Sequence, residues 1–269
     1  MSDAWDPGQY ERFKAERSQP FFDLLALVEP VPGGRAVDLG CGTGELTRSL
    51  HERSGVAATL GIDSSAEMLA KSAAFAGGGL TFAAADIATF APEQPFDIVF
   101  SNAALQWLPD HERLIPAVAG LVAPGGQLAV QMPANFDHPS HTIAAELADE
   151  EPYRTALGGE RRYVNVRPPE WYAGLLYSLG FARQQVRLQV YGHVLPGPED
   201  VVEWVRGSLL TEFRERLPGD LYAAFEGEYR RRLLEVLADS RPYFYPFKRL
   251  LFWGRKAFAP EAAGPKAQG

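Results

Sequence analysis

The chain has 269 residues, 46% of them hydrophobic, a formal net charge of −8 and a single cysteine. That suits one enlarged α/β domain and excludes an internal disulfide, a cysteine-cluster metal site and the Lys/Arg excess with which a protein neutralises a nucleic-acid backbone. No stretch approaches the roughly 20 apolar residues that cross a bilayer, and the polar start "MSDAWDPGQYERFKAERS" has no apolar signal-peptide segment, so the expectation is a cytoplasmic protein without membrane or nucleic-acid partners.

Taken in chain order, "QYERFKAERSQPFFDLLALV" (9–28) places Tyr10, Phe13 and Arg17 at helical spacing and predicts two helices parted at Pro20. "RAVDLG" predicts a buried strand, "TGELTRSLHERS" a helix, "ATLGIDSS" a second strand, and "AEMLAKSAAFA" a helix capped by Ser64 or Ser65. "LTFAAADI" and "FDIVFSNAALQW" predict strands three and four, "HERLIPAVAGLV" a helix, "APGG" a turn and "QLAVQMP" a fifth strand. This alternation predicts a parallel sheet with helices on both faces. Past Pro133 the rhythm loosens to about residue 168. Then come a helix in "PPEWYAGLLYSLGF", a strand in "RQQVRLQVYGHVL", a helical block over 198–239, and a last strand in "FKRLLFWGRKAF". Residues 198–245 therefore resemble an insertion between two late strands, placed to cover a pocket, and 259–269 a flexible tail. Segments 1–30 and 134–168 are the other candidate covers of a single domain spanning 1–258.

The chemistry-bearing stretch is "AVDLGCGTGELTRSL" (36–50), the first strand-to-helix turn, which in open parallel sheets is the usual ligand cradle. Gly40, Gly42 and Gly44 let backbone N–H groups and a helix start approach a ligand. The spacing is Gly-x-Gly-x-Gly behind Asp38, not the Gly-x-Gly-x-x-Gly of a pyrophosphate site, and an acid at the strand end suits an ammonium group. An amino-acid-bearing cofactor is favoured over a dinucleotide, and an NAD-linked dehydrogenase is disfavoured. Asp63, ending strand two with Ser64 next to it, is placed to accept from two ribose hydroxyls, or else to cap the following helix. Asp86 and Ile87, ending strand three, can bracket an adenine, Asp86 serving otherwise as a turn acid.

"VDLGCGTG", "GIDSS", "ADI", "FDIVFSNAALQWLPD" and "LVAPGGQLAVQMP" resemble, in order and spacing, the motifs of class I S-adenosylmethionine-dependent methyltransferases, densely over 34–133. "WDPGQYERFKAERSQP", "NAALQWLPDH" and "AVQMPANFDHPSH" are similar to the trans-aconitate 2-methyltransferase branch of that family. The likeness is patchier from residue 134. It implies a Rossmann-like fold with a seven-stranded, mostly parallel sheet and a helical lid. It also implies S-adenosylmethionine as cofactor and S-adenosylhomocysteine as product. Asp38, Gly40, Gly42, Gly44, Asp63, Asp86 and Ile87 would bind the cofactor, with a wall from Asn102, Ala103 and Trp107; Trp107 fits the core as readily. The implied acceptor is a small polycarboxylate.

A carboxylate, with a reference pKa of about 4, is ionised at neutral pH and needs no general base, so no catalytic residue is expected and no metal. "Asn-Ala-Ala-Leu" stands where exocyclic-amine methyltransferases carry Asn-Pro-Pro-Tyr, which disfavours base methylation. The carboxylates left over after one is methylated call for cations. Residues 1–159 carry 9 Lys/Arg against 21 Asp/Glu, and 160–269 carry 17 against 13, a balance of −12 and then +4. Nominees for the acceptor are Tyr10, Arg17, His138, Arg206, Tyr243 and Arg249. For a histidine placed like His138 a solvated loop residue is the commoner fate, and Arg206 is as readily a solvated helix charge. Another carboxyl acceptor, such as a carrier-bound malonyl group, and a non-catalytic cofactor-binding protein are the alternatives.

Overall fold

The computed structural model describes residues 14–159 and 164–258. Tyr10 and the tail 259–269 lie outside the described residues, as does the side chain of Arg17. In chain order the elements are α1 (Lys14–Leu25), β1 (Arg35–Leu39), α2 (Glu45–Ser54), β2 (Ala58–Asp63), α3 (Ala66–Ser72), β3 (Leu80–Ala84), β4 (Phe96–Asn102), α4 (His111–Gly120) and β5 (Val122–Pro133). They continue with α5 (Pro139–Ala148), α6 (Tyr153–Ala156), α7 (Pro169–Ser178), β6 (Phe181–Leu195), α8 (Glu199–Arg206), α9 (Leu209–Arg216), α10 (Gly219–Val236) and β7 (Tyr243–Lys256).

The strands form one sheet in the order β3-β2-β1-β4-β5-β7-β6. The pairs β2/β3, β1/β2, β1/β4 and β4/β5 are parallel. Backbone bonds from Ala134 to Lys248 and from Gly125 to Ala257 run β7 antiparallel to β5. The order reverses at β1/β4, so the carboxyl ends of these two strands flank the crevice where such sheets bind ligands.

Three local expectations change. Pro20 does not split the first segment: α1 continues through it, because Phe21, Leu24 and Leu25 just beyond are buried and Phe21 packs on Phe100 with centroids 5.1 Å apart, which offsets the hydrogen bond the proline forfeits. The "APGG" turn is absorbed into β5. Gly125 keeps the positive φ of a turn at 74°, but the segment forms an irregularity where Phe96 pairs Val122 and Ile98 already pairs Gln127. The loosened region beyond Pro133 contains α5 and α6.

The chain divides into two compact units. The glycine-loop unit takes in, of the described residues, Phe21–Met132, Arg167–Arg187 and 251–258. Its centre is β1 and β4, where Val37, Leu39, Ile98, Val99 and Phe100 have no exposed surface. The buried carboxamide of Gln127 ties it together, bonding the Glu29 backbone through both ends and accepting from Trp253 Nε1 at 2.9 Å. The helical unit takes in, of the described residues, 14–20, 133–159, 164–166 and Leu188–Leu250. Its core joins α5, α8, α9 and α10 to alternate residues of β7, with Phe213 and Phe225 at 4.6 Å and Tyr153 edge-on to Phe225. No helix among the described residues is long and apolar enough to cross a membrane.

Candidate active site

The β1-to-α2 turn is glycine-rich for two different reasons. Gly40 and Gly44 are small because the protein is close. A Cβ on Gly40 would stand 2.3 Å from Ala104 Cβ, and one on Gly44 would stand 2.7 Å from Phe82 Cζ and 2.8 Å from Ser72 Cβ. Gly42 has a positive φ of 55° and nothing within 4 Å of where its Cβ would be. Its side is open, so a ligand can lie against the bare backbone there. Gly44→Ala is accordingly expected to lower the melting temperature by several degrees, through overlap and strain at φ 78°. Gly42→Ala should cost less stability and weaken cofactor binding more, as thermal unfolding beside calorimetry would show.

Two carboxylates frame this turn. Asp38 is buried, its Oδ2 accepting from Thr47 Oγ1 at 2.6 Å, and burial pushes its carboxyl up to about 7 against the pull of that hydroxyl, with Asp63 adding repulsion. Asp63 at the end of β2 accepts from the Gly42 N–H through Oδ2 and from the Ser65 N–H through Oδ1, each at 2.9 Å. It thereby fixes the loop on which the open glycine sits. Ser65, whose hydroxyl accepts from Met68 N–H, caps α3, while Ser64 is exposed. Cys41 is buried and its thiol is pushed far up by burial.

Asp86 is exposed and closes a turn on the Ala88 N–H at 2.9 Å. Beside it, the Ile87 side chain reaches the Gly40 position, 3.8 Å from where a Cβ would be. Beyond β4, Ala103 holds a left-handed φ of 54° and donates its N–H to Gln131 O, while Trp107, 58% exposed, is not in the core. Among the described residues, half-buried Asn102 has no partner for Oδ1, and its register partner on β5, the fully buried Gln131, has none for Oε1 or Nε2. Gln131 was not among the predicted site residues. Its only signal in the sequence is a polar residue inside the apolar run "LAVQMP".

The predicted acceptor residues that are described all belong to the helical unit. Along β7, Tyr243, Tyr245, Phe247 and Arg249 alternate onto one buried face. Arg249 is 6% exposed with its guanidinium 4.9 Å from the Phe247 ring centre. Burial raises the Tyr243 phenol. Lys248 pairs with Asp137, and Arg206 is held between Glu203 and Glu226 at 2.6 Å each. His138 caps α5, accepting from the Ser140 N–H at 3.1 Å. Neither residue stands as a plain solvated charge or loop side chain.

These features suit S-adenosylmethionine. The open face at Gly42 takes a close-lying ligand, Asp38 is a carboxylate whose ionisation an ammonium would favour, and Asn102 Oδ1 is a buried acceptor lacking a donor. The comparisons agree. The profile of the methyltransferase-domain family matches residues 37–130. A Deinococcus radiodurans protein named trans-aconitate 2-methyltransferase is 44% identical over 254 residues, covering 92% of this chain and 96% of that one. A Streptomyces avermitilis protein of the same name is 43% identical over 256 residues, covering 92% and 95%. Among solved structures, the YcgJ protein of Bacillus subtilis shares the fold at a TM-score of 0.61 and 15% identity, covering 89% of this chain and 99% of that one. The chain thus belongs to the trans-aconitate 2-methyltransferase family of class I S-adenosylmethionine-dependent methyltransferases.

Proposed function

We propose that the protein methylates one carboxylate of trans-aconitate, giving the monomethyl ester and S-adenosylhomocysteine. The observation that carries this is similarity over more than nine-tenths of the chain to relatives of that name. The cofactor supplies an activated methyl on a sulfonium: a carboxylate oxygen bonds the methyl carbon as the carbon–sulfur bond breaks, its electron pair staying on sulfur, and no proton moves. What the chain must do is hold two ligands in line and exclude water.

For the cofactor, the reading assigns the amino-acid end to Asp38, Asn102 and the bare backbone at Gly42, the ribose to Asp63, and the adenine to Asp86 and Ile87. Asp63→Ala is expected to weaken cofactor binding at least tenfold by calorimetry, since charge-assisted hydrogen bonds are worth about 1.5–3 kcal/mol each. Unchanged affinity would remove Asp63 from the ribose contact. For the acceptor, Arg249 is the leading contact, because its buried guanidinium lies against the Phe247 ring on the β7 face that also carries Tyr243 and Tyr245.

The test is mass spectrometry of small molecules after incubating the purified protein with S-adenosylmethionine and, separately, trans-aconitate, cis-aconitate, citrate and isocitrate. An ester formed best from trans-aconitate is the expected result. Cofactor bound without any ester would point to a different acceptor or to a non-catalytic binder.

A further inference from the structure

The start of α5 carries a hydrogen-bond network whose direction is fixed by its first member. Asn135 is fully buried, and its Oδ1 accepts from the Lys248 backbone N–H at 3.1 Å. That bond identifies the oxygen of the carboxamide, so its nitrogen faces the Tyr245 hydroxyl 3.3 Å away and donates to it. Tyr245, accepting from Asn135, can then give its own proton to the Ser140 hydroxyl at 3.2 Å. With one lone pair occupied in this way, Ser140 Oγ turns its proton toward the histidines, lying 2.9 Å from His138 Nδ1 and 3.0 Å from His141 Nδ1. Tyr229 holds the Ser140 carbonyl from α10 at 2.9 Å.

One tautomer follows. His138 Nδ1 accepts from the Ser140 backbone N–H, so it carries no proton, and the neutral ring must carry its proton on Nε2. Protonating both nitrogens would break the helix cap. Burial, with Lys248 acting in the same direction and Asp137 against it, keeps His138 below the ordinary histidine range, hence neutral near pH 7. The ring is held edge-on to Tyr245 with centroids 5.0 Å apart, and it is half-buried. Among the described residues Nε2 has no hydrogen-bond partner, whereas Nδ1 bonds Ser140. Arg249 belongs to the same cluster through Phe247, whose ring lies 5.8 Å from that of Tyr245 and 6.5 Å from that of His141.

We propose that His138 binds the acceptor through Nε2–H, donating to a carboxylate other than the one methylated, with Asn135, Tyr245 and Ser140 as positioning residues that set its tautomer. The proposal rests on the polycarboxylate reading above. A neutral donor satisfies a second carboxylate beside Arg249 without a further buried cation, whose desolvation would be costly. Directed at the reacting oxygen, the same bond would occupy a lone pair needed for attack, so the contact falls on a carboxylate that stays free.

His138→Asn separates the two roles of the residue, since Asn Oδ1 still caps the helix while nothing replaces Nε2–H. The expected result is an unchanged melting temperature and S-adenosylhomocysteine affinity, a kcat within about threefold and an acceptor KM raised about tenfold or more. Histidine 15N spectra of the protein loaded with S-adenosylhomocysteine should show bare Nδ1 and protonated Nε2 on His138. The Nε2 resonance should move on adding at least one of trans-aconitate, cis-aconitate, citrate and isocitrate. In Tyr245→Phe a fraction of the Nδ1–H tautomer should appear; a wild-type spectrum there removes Tyr245 from the positioning set. A protonated Nδ1 in the unaltered protein, an Nε2 resonance that none of the four acids moves, or an unchanged KM in His138→Asn overturns the proposal. A resonance that moves without any ester being formed refutes trans-aconitate turnover and leaves the His138 contact in place, so the two failures are distinct.

Discussion

Arg249→Ala is expected to raise the acceptor KM by about a hundredfold while leaving S-adenosylmethionine affinity unchanged. The magnitude follows from one guanidinium donating two charge-assisted bonds, each worth about 1.5–3 kcal/mol, against a tenfold change for about 1.4 kcal/mol. The separation of effects follows from position. Arg249 lies on β7 within the helical unit, whereas every residue assigned to the cofactor lies in the glycine-loop unit. Arg249→Lys should recover only part of the loss, because an ammonium keeps the charge and forfeits the planar fork. Initial-rate kinetics with varied acceptor, beside calorimetry with S-adenosylhomocysteine and a melting curve, make the comparison. A loss of cofactor affinity equal to the loss in KM would show that Arg249 supports the fold and not the acceptor, and an unchanged KM would move the anion contact elsewhere.

The cofactor half was legible because its residues lie at or just past strand ends, which short-range signals mark: an apolar run interrupted at Asp38 or Asp63 with a glycine or serine within two residues, and one closing on Ser101 and Asn102. The same signals left uncertain what each residue does once folded. Asp63 reads as a ribose acceptor or a helix cap, and in the structure it accepts from the Gly42 and Ser65 amides, while the cap is Ser65. Gln131 escaped notice because its meaning depends on lying beside Asn102, a pairing between strands 29 residues apart in number. The acceptor residues were harder still. Asn135 and Tyr245 are 110 positions apart, and nothing local to "PANFDHP" or "RPYFYP" says that they meet. Pro20 misled for the opposite reason, a strong local signal being overridden by the burial of Phe21 and Leu24.

Cofactor affinity should fall by up to about tenfold per pH unit below pH 7 and stay level above it, with Asp38 as the titrating group. Burial raises its carboxyl to about 7 in the unliganded protein, Thr47 opposing and Asp63 assisting. An ammonium bound beside it favours the ionised form, so binding below pH 7 must first expel a proton. Calorimetry in buffers of differing ionisation enthalpy should detect that release. Folding stability of the unliganded protein should move the other way. Between about pH 4, the unfolded reference, and pH 7 the native state binds more protons than the unfolded chain. Stability therefore declines as pH rises across that window, by up to about 1.4 kcal/mol per unit from this group, and the contribution is gone above it. Saturating cofactor should flatten the decline by pulling the native pKa back toward the unfolded one. Asp38→Asn should abolish both slopes, leaving a protein that is no less stable at pH 8 and binds the cofactor weakly at every pH. An affinity that does not vary between about pH 5.5 and 8.5 would mean that the ammonium is held by other groups, with Asn102 Oδ1 the first to test.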